Sequence, residues 1–266
     1  MKMNTQCFRI GKWVAVVLVV AMAAGLYAEV REITPGYGLT RPRVIEMAQK
    51  NPAKLFKRSL NHFDATIRDY RGTLYRQERM FGKLGREQVI NFKFKDDPHS
   101  VAMSWVHNAA KIDRLLYVEG QNDNKMLVRQ DGLFALLGTA RRDPHSKDVL
   151  VASLKPVTEF GFLKVLQSLA DESASGPGKP KVTTKYVKTF YKYGRNVIEF
   201  EQTIDNPHDM KVSKRTMLFD IDLLIPIERM AYGPNGELLY KYVYRDMRFN
   251  TGLTSSDFTP QANGLK

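Results

Sequence analysis

The sequence holds a single cysteine, Cys7, in 266 residues. That excludes a disulfide scaffold and any cysteine-based zinc site. Long apolar runs are also scarce, with one near the N terminus, and a mean hydropathy of −0.35 excludes a multi-span membrane protein. Acid is in short supply. There are 28 Asp plus Glu against 41 Lys plus Arg, a formal net charge of +13. Proline and glycine, at 12 and 18, are too few for a collagen-like repeat. Apolar residues still make up 43%, enough burial to offset the ordering entropy of folding, so a disordered chain is excluded too.

Catalytic signatures are missing as well. The histidines, His62, His99, His107, His145 and His208, include no His-x-His or His-x3-His pair that could seed a metal site. Three of them follow Asp97-Pro98, Asp143-Pro144 and Asn206-Pro207, dipeptides that start turns through side-chain hydrogen bonding and a preset proline φ. No Gly-x-Ser-x-Gly elbow occurs. Gly176-Pro177-Gly178-Lys179 lacks the spacing of a phosphate loop. Asp220 and Asp222, two apart, read as the wet face of a strand. The expectation is a protein that is not an enzyme and that needs no metal and no cofactor.

What is present begins at the N terminus. Lys2, Arg9 and Lys12 precede an uncharged stretch, Trp13 to Ala28, of sixteen residues. A spanning helix needs about 20. A basic start, a short apolar stretch and small residues at its end describe a secretory signal over 1–28. Cleavage follows Ala28, with Ala23 and Gly25 offering a second site and an uncleaved anchor the alternative. Cys7 lies before the apolar stretch and is not the lipidated cysteine of a lipoprotein. Removing the signal takes away the lone thiol, which suits an oxidising compartment, and leaves a basic excess.

Residues 29–50 read as a lead-in, with helical spacing from Val44. Asn51-Pro52 signals a helix start, because Asn caps free backbone N–H groups and Pro loses no bond at the first helical position. Phe56, Leu60, Phe63 and Ile67 then recur at the helical period and form the apolar stripe of a lid helix. After Tyr70 the period changes to two. Ile90, Phe92 and Phe94 share a side, as do Val101, Met103 and Trp105. Further strands follow to Arg129. Leu133 to Lys155 is mixed loop, Val157 to Asp171 helical, and Ser173 to Pro180 a linker. Strands resume over Val182–Tyr191, Asn196–Ile204 and Arg215–Leu224. The hairpin at Tyr232-Gly233-Pro234-Asn235-Gly236 leads to a strand with Leu238, Tyr240, Tyr242 and Tyr244 on one side. The pattern is mainly β, an α+β arrangement: a single strongly curved antiparallel sheet of about eight to ten strands, its concave apolar face covered by helices. No internal repeat is visible.

The closing stretch runs from Leu224-Ile225-Pro226 through the glycine hairpin to Tyr242-Val243-Tyr244-Arg245-Asp246, then Asn250, Leu253 and Asp257-Phe258. It resembles the C-terminal half of the LolA-like outer-membrane lipoprotein-sorting proteins. The span from Tyr70 to Phe258 is closer still to a bacterial family of unknown function with that fold. The features that carry this likeness are Glu78-Arg79, Gly82-Lys83-Leu84-Gly85, Pro98, Trp105 and Tyr117-Val118-Glu119-Gly120. Leu133 to Lys155 has no counterpart there. The resemblance implies an unclosed half-barrel over 51–260, with 261–266 as a tail. It also implies a greasy cavity under the helices that holds acyl chains of lipoproteins or lipids in the periplasm.

On that reading the cavity is lined by Ile90, Phe92, Phe94, Val101, Met103, Trp105, Tyr240, Tyr242 and Tyr244, the alternative being a plain core. Basic clusters stand at Lys54, Lys57 and Arg58, at Arg141-Arg142, and at Lys179, Lys181, Lys185, Lys188 and Lys192. An exported protein rarely meets nucleic acid, so anionic lipid headgroups, an acidic envelope protein or plain solvation are the readings of this charge. The expected state is a monomer. The expected role is an exported acyl-chain carrier; the alternative is an envelope sensor or protein-interaction module.

Overall fold

The computed structural model describes residues 39–109, 111–132, 136, 138–172, 181–205 and 212–265. The signal reading of 1–28, most of the lead-in, the 173–180 linker, Lys179 and the His208 turn lie outside them.

Two helices come first. α1 spans Arg41–Lys50 and buries Val44, Met47 and Ala48, so the helix starts earlier than the spacing alone indicated, inside the expected lead-in. Pro42 stands in the first turn, where its missing N–H costs no bond, and the Arg41 guanidinium pairs with both carboxylate oxygens of Asp222, at 2.6 and 2.9 Å. α2 spans Pro52–Thr66. The Asn51 side chain accepts the Lys54 N–H at 2.9 Å, as the Asn-Pro signal predicts.

The strands follow by hairpins. They are β1 (Asp69–Met80), the two-residue β2 (Lys83–Leu84), β3 (Gln88–Lys95), β4 (Ser100–His107), β5 (Ile112–Val118), β6 (Met126–Gln130) and β7 (Thr139–Arg142). The chain then forms the short α3 (Lys147–Leu150) and α4 (Phe162–Glu172) before returning through β8 (Lys181–Lys192), β9 (Arg195–Asp205), β10 (Lys214–Asp220), β11 (Pro226–Tyr232) and β12 (Leu238–Phe249). Every neighbouring pair is antiparallel, and the order is β7-β6-β5-β4-β3-β1-β12-β11-β10-β9-β8, with β2 pairing β1 off this path. The last strand therefore closes on the first, Tyr70 opposite Phe249 and Leu74 opposite Tyr244. β7 and β8 remain edges, so the sheet is an unclosed half-barrel. Register shifts in β1–β12, β3–β4 and β10–β11 supply bends of the kind that curve a sheet.

Both edges are basic. Arg141 and Arg142 lie on β7, and Lys181, Lys185, Lys188 and Lys192 on β8. Charged side chains on an open edge discourage pairing with another chain. Part of the basic excess therefore has a structural reason.

The helices lie on the concave face. Phe56 of α2 meets Phe200 edge-on at 5.3 Å and Phe219 at 5.9 Å. Phe63 packs against Tyr70 and against Phe162 of α4. Asp220 departs from the wet-face expectation. β10 ends at that residue, so 221–223 form a turn rather than strand. Asp220 is fully buried, pairs with Arg195 at 2.6 Å and accepts the Asp222 and Leu223 N–H groups at 2.8 and 2.9 Å. It clamps this turn and carries no exposed carboxylate chemistry. The outer face is not wet throughout either. Phe258 and Leu265 cover Ala102, Leu116, Val118 and Leu127 there, so the segment read as a tail packs on the sheet.

Candidate ligand cavity

The concave face is not filled along its whole length. Beyond Tyr70, the inward positions of β1 are Leu74, Arg76 and Glu78, opposite Tyr244, Tyr242 and Tyr240 of β12. These six residues line a cavity of about 710 Å³, within the roughly 300–1,000 Å³ usual for ligand sites.

Two cross-strand rows give the cavity its character. One is apolar: Met103 of β4 pairs with Leu115 of β5, and Leu115 with Val128 of β6. The other is polar. Arg229 of β11 pairs with Tyr242, Tyr242 with Arg76, and Arg76 with Gln88 of β3. The roof is the segment after β7, through Val149, Leu154, Val157, Phe160 and Val165. The cavity thus has an apolar side and a polar side under one apolar cover.

The polar side is tightly organised. The Arg76 guanidinium donates twice to Gln88 Oε1, at 3.0 and 2.7 Å, and Trp105 Nε1 donates to the same oxygen at 3.1 Å. A third Arg76 nitrogen donates to Ser153 Oγ of the roof at 3.2 Å. The guanidinium also lies 5.7 Å from the Trp105 ring centre, within cation–π range. Tyr242 donates its hydroxyl to Glu78 and stacks on Tyr240 with ring centres 4.8 Å apart. Burial pushes the Tyr244 hydroxyl up to about 12. Burial, then the Glu78 charge, holds Tyr242 well above the usual phenol range. Both tyrosines are therefore neutral donors at physiological pH.

Gly161 joins roof to helix. Its φ of +130 is a conformation side chains rarely adopt, and a Cβ there would stand 2.9 Å from the Phe94 ring. The next N–H, of Phe162, donates to the Tyr70 hydroxyl at 2.9 Å, which anchors α4 where the packed region meets the cavity.

Of the residues proposed from sequence, Met103, Trp105, Tyr240, Tyr242 and Tyr244 line the cavity. Ile90, Phe92, Phe94 and Val101 do not; they are buried to 3% exposure or less in the packed core. Phe56, Leu60 and Phe63 of α2, with Ile67 just past its end, also pack on that core, and none lines the cavity. Its cover is 149–165 instead. Sequence reasoning passed over Arg76, Glu78, Gln88 and Arg229. Their signal was parity: Arg76 and Glu78 continue the even-numbered inward series of Tyr70 and Leu74.

The described histidines do not converge. His62 is buried on α2, His99 packs edge-on to Phe94 at 5.2 Å, and His145 meets Thr158 at 3.2 Å. Among the described residues no group of three or more His, Cys, Asp or Glu side chains is placed to hold a metal. Nor is any helix among them long and apolar enough to cross a membrane.

A family model described as "Protein of unknown function (DUF1571)" matches residues 67–264. No curated protein matches the chain. Among solved structures it is similar to MucB at 15% identity and a TM-score of 0.48, over 78% of this chain and 62% of that one. The chain thus spans less than two thirds of MucB, a protein also seen in a MucA/MucB complex from Pseudomonas aeruginosa. The lipoprotein LppX of Mycobacterium tuberculosis gives 14% identity and a TM-score of 0.44, over 77% of this chain and 99% of that one. A LolA superfamily protein from Nitrosomonas europaea gives 9% and 0.31, over 79% and 98%. At such identities and scores, function has to be argued from the cavity itself.

Proposed function

We propose a function for this chain, which belongs to the DUF1571 family: an exported, non-enzymatic carrier that holds lipid or lipoprotein acyl chains in the bacterial periplasm. The observation that carries this reading is the cavity of about 710 Å³ on the concave face, walled on one side by Met103, Leu115 and Val128 and roofed by Val149, Leu154 and Val157. A core meant only for stability leaves few voids larger than a water molecule. An acyl chain entering here would contribute about 25 cal/mol for each Å² of apolar surface removed from water.

Loading and release would proceed through the roof. The segment is tied to the floor by the Arg76–Ser153 hydrogen bond and turns into α4 at Gly161. Lifting it breaks the Arg76–Ser153 bond and the His99–Val157 contact and exposes the apolar row, so a more apolar acceptor can draw the chain out. The N-terminal basic-then-apolar pattern supports export, and the LolA-like resemblance supports the periplasm.

Native mass spectrometry of protein purified from a membrane-containing host, with uptake of a fluorescent acyl probe, tests this. Co-purified lipid and saturable uptake are expected. Persistent absence of both would sink the reading.

An envelope sensor or protein-interaction module is the second reading. It is favoured by Phe81, 82% exposed with Leu84 at the β1–β2 hairpin. This reading expects Phe81→Ser to abolish capture of a partner while probe uptake is unchanged.

A further inference from the structure

We propose that Arg76 and Arg229 hold the anionic head of an amphiphile whose chain lies along Met103, Leu115 and Val128. This rests on the acyl-chain reading of the cavity and deepens it to a ligand class: a carboxylate or phosphate joined to a long apolar tail.

Placement is the first argument. β11 and β1 flank β12, so the two arginines project into the cavity from either side of Tyr242, about 10 Å apart at their roots by strand spacing. Side chains of that length converge on one group between them. Charge is the second. Arg76 satisfies its N–H groups with the neutral oxygens of Gln88 and Ser153, which leaves its charge unmatched. Arg229 forms neither a hydrogen bond nor an ion pair with a described residue. Glu78, two along β1 from Arg76, accepts the Tyr242 hydroxyl, and its carboxylate is turned to that ring rather than bonded to either arginine.

Six basic and four acidic described side chains line the cavity. Two pairs are matched with each other at its rim, Arg142 with Asp148 at 3.7 Å and Lys155 with Glu159 at 3.0 Å. The remainder is four basic side chains, Arg76, Arg229, Lys111 and Lys164, against two acidic ones, Glu78 and Asp131, so the lining keeps a positive excess. Both arginines are half-buried in the cavity wall, and a guanidinium is suited to bind carboxylate or phosphate in bidentate fashion. The Tyr244 hydroxyl, neutral and without an acceptor among the described residues, adds a donor on the same wall. The apolar row begins across Trp105, whose indole N–H shares Gln88 Oε1 with Arg76. Head and tail sites are thus contiguous, as one amphiphilic ligand requires.

The test compares three probes with the same sixteen-carbon tail, about the length of common membrane acyl chains: palmitate, 1-palmitoyl lysophosphatidate and neutral 1-monopalmitoylglycerol. Binding of each to the purified protein is measured by displacement of a fluorescent acyl probe. Anionic heads are expected to bind about tenfold more tightly than the neutral one, the size of one charge-assisted interaction. Arg229→Gln, which removes no hydrogen bond or ion pair with a described residue, should reduce that ratio several-fold while affinity for monopalmitoylglycerol is retained. Arg76→Gln, which also frees the roof at Ser153, should reduce the same ratio whatever its effect on the neutral probe. The ratio of palmitate to lysophosphatidate assigns the head as carboxylate or phosphate.

Equal binding of all three heads, or a ratio that survives both substitutions, overturns the assignment and leaves the acyl-chain reading standing. Inorganic phosphate competing as well as lysophosphatidate overturns it in favour of a free-anion site. Failure of all three probes to bind overturns the acyl-chain reading itself.

Discussion

The two ends of β1 differ in what lies above them. At Tyr70 the concave face is full: this ring, 1% exposed, stacks on Phe94 at 4.6 Å and touches Phe63, Phe162 and Phe249. Four residues on, at Leu74, the face opens into the cavity, and from Arg76 its inward side chains turn polar. Strand, parity and sheet are the same; only the cover changes, from the paired α2 and α4 to the irregular 149–160 segment and the near side of α4. Alternation in a strand thus tells which side chains face inward. It does not tell whether protein or ligand fills the space they face. Charged residues at inward positions mark the change, because in a dry core they are costly.

The sharpest break in this comparison comes from removing bulk. Phe56→Ala in the full region empties a site at 0% exposure, surrounded by Phe200 and Phe219, and should cost about 3–5 kcal/mol by urea denaturation. Leu115→Ala in the open region should cost distinctly less, roughly 1–3 kcal/mol. It only enlarges a space that already exists and leaves no new void for its neighbours to collapse around. Equal costs at the two positions would mean that the cavity is closed in solution.

Adding bulk reverses the contrast at smaller amplitude. Leu166→Trp forces a larger ring into a packed site at 0% exposure and should cost about 1–3 kcal/mol. Leu115→Trp has the cavity to grow into and should change stability by less than about 1 kcal/mol. Its effect should appear instead as a several-fold loss of acyl-probe capacity, read by fluorescence titration. Retained capacity in a folded Leu115→Trp protein would place the ligand elsewhere.

These residues also divide what the sequence disclosed from what it did not. The start of α2 was legible because Asn51-Pro52 acts locally, through a cap and a preset φ. The shared side of Ile90, Phe92 and Phe94 was legible because parity in a strand is local too. Cross-strand pairing was not: nothing in the order of residues says that Arg229 reaches Arg76 through Tyr242, since β12 brings together segments some 150 residues apart. The roof was invisible for another reason. Residues 149–155 have neither period, so they read as loop, and it is the sheet beneath that gives their Val and Leu side chains a common side. Asp220 misled because its strand parity was right while its strand ends there, and a turn then claims its carboxylate.

The smallest expected effect is on pH dependence, and it touches both regions at once. His62 lies in the full region and His99 at the border of the cavity, its Nε2 3.4 Å from the carbonyl of roof residue Val157. Burial lowers the affinity of both rings for a proton. For His62 the Arg58 charge acts the same way, and for His99 the Val157 carbonyl opposes it only in part. In the unfolded chain each titrates near 6.5. The unfolded state therefore binds protons that the folded state resists. Stability is full above pH 6.5 and declines as pH falls through that value toward the depressed folded values. Thermal midpoints measured across this window should fall on acidification, with a shallower slope in His99→Gln and a shallower one again in the double variant with His62→Gln. Because His99 touches the roof and His62 does not, acyl-probe release should quicken on acidification in the wild type and in His62→Gln, but not in His99→Gln. Acid-quickened release that persists in His99→Gln would separate the roof from this ring and confine its role to the stability of the filled region.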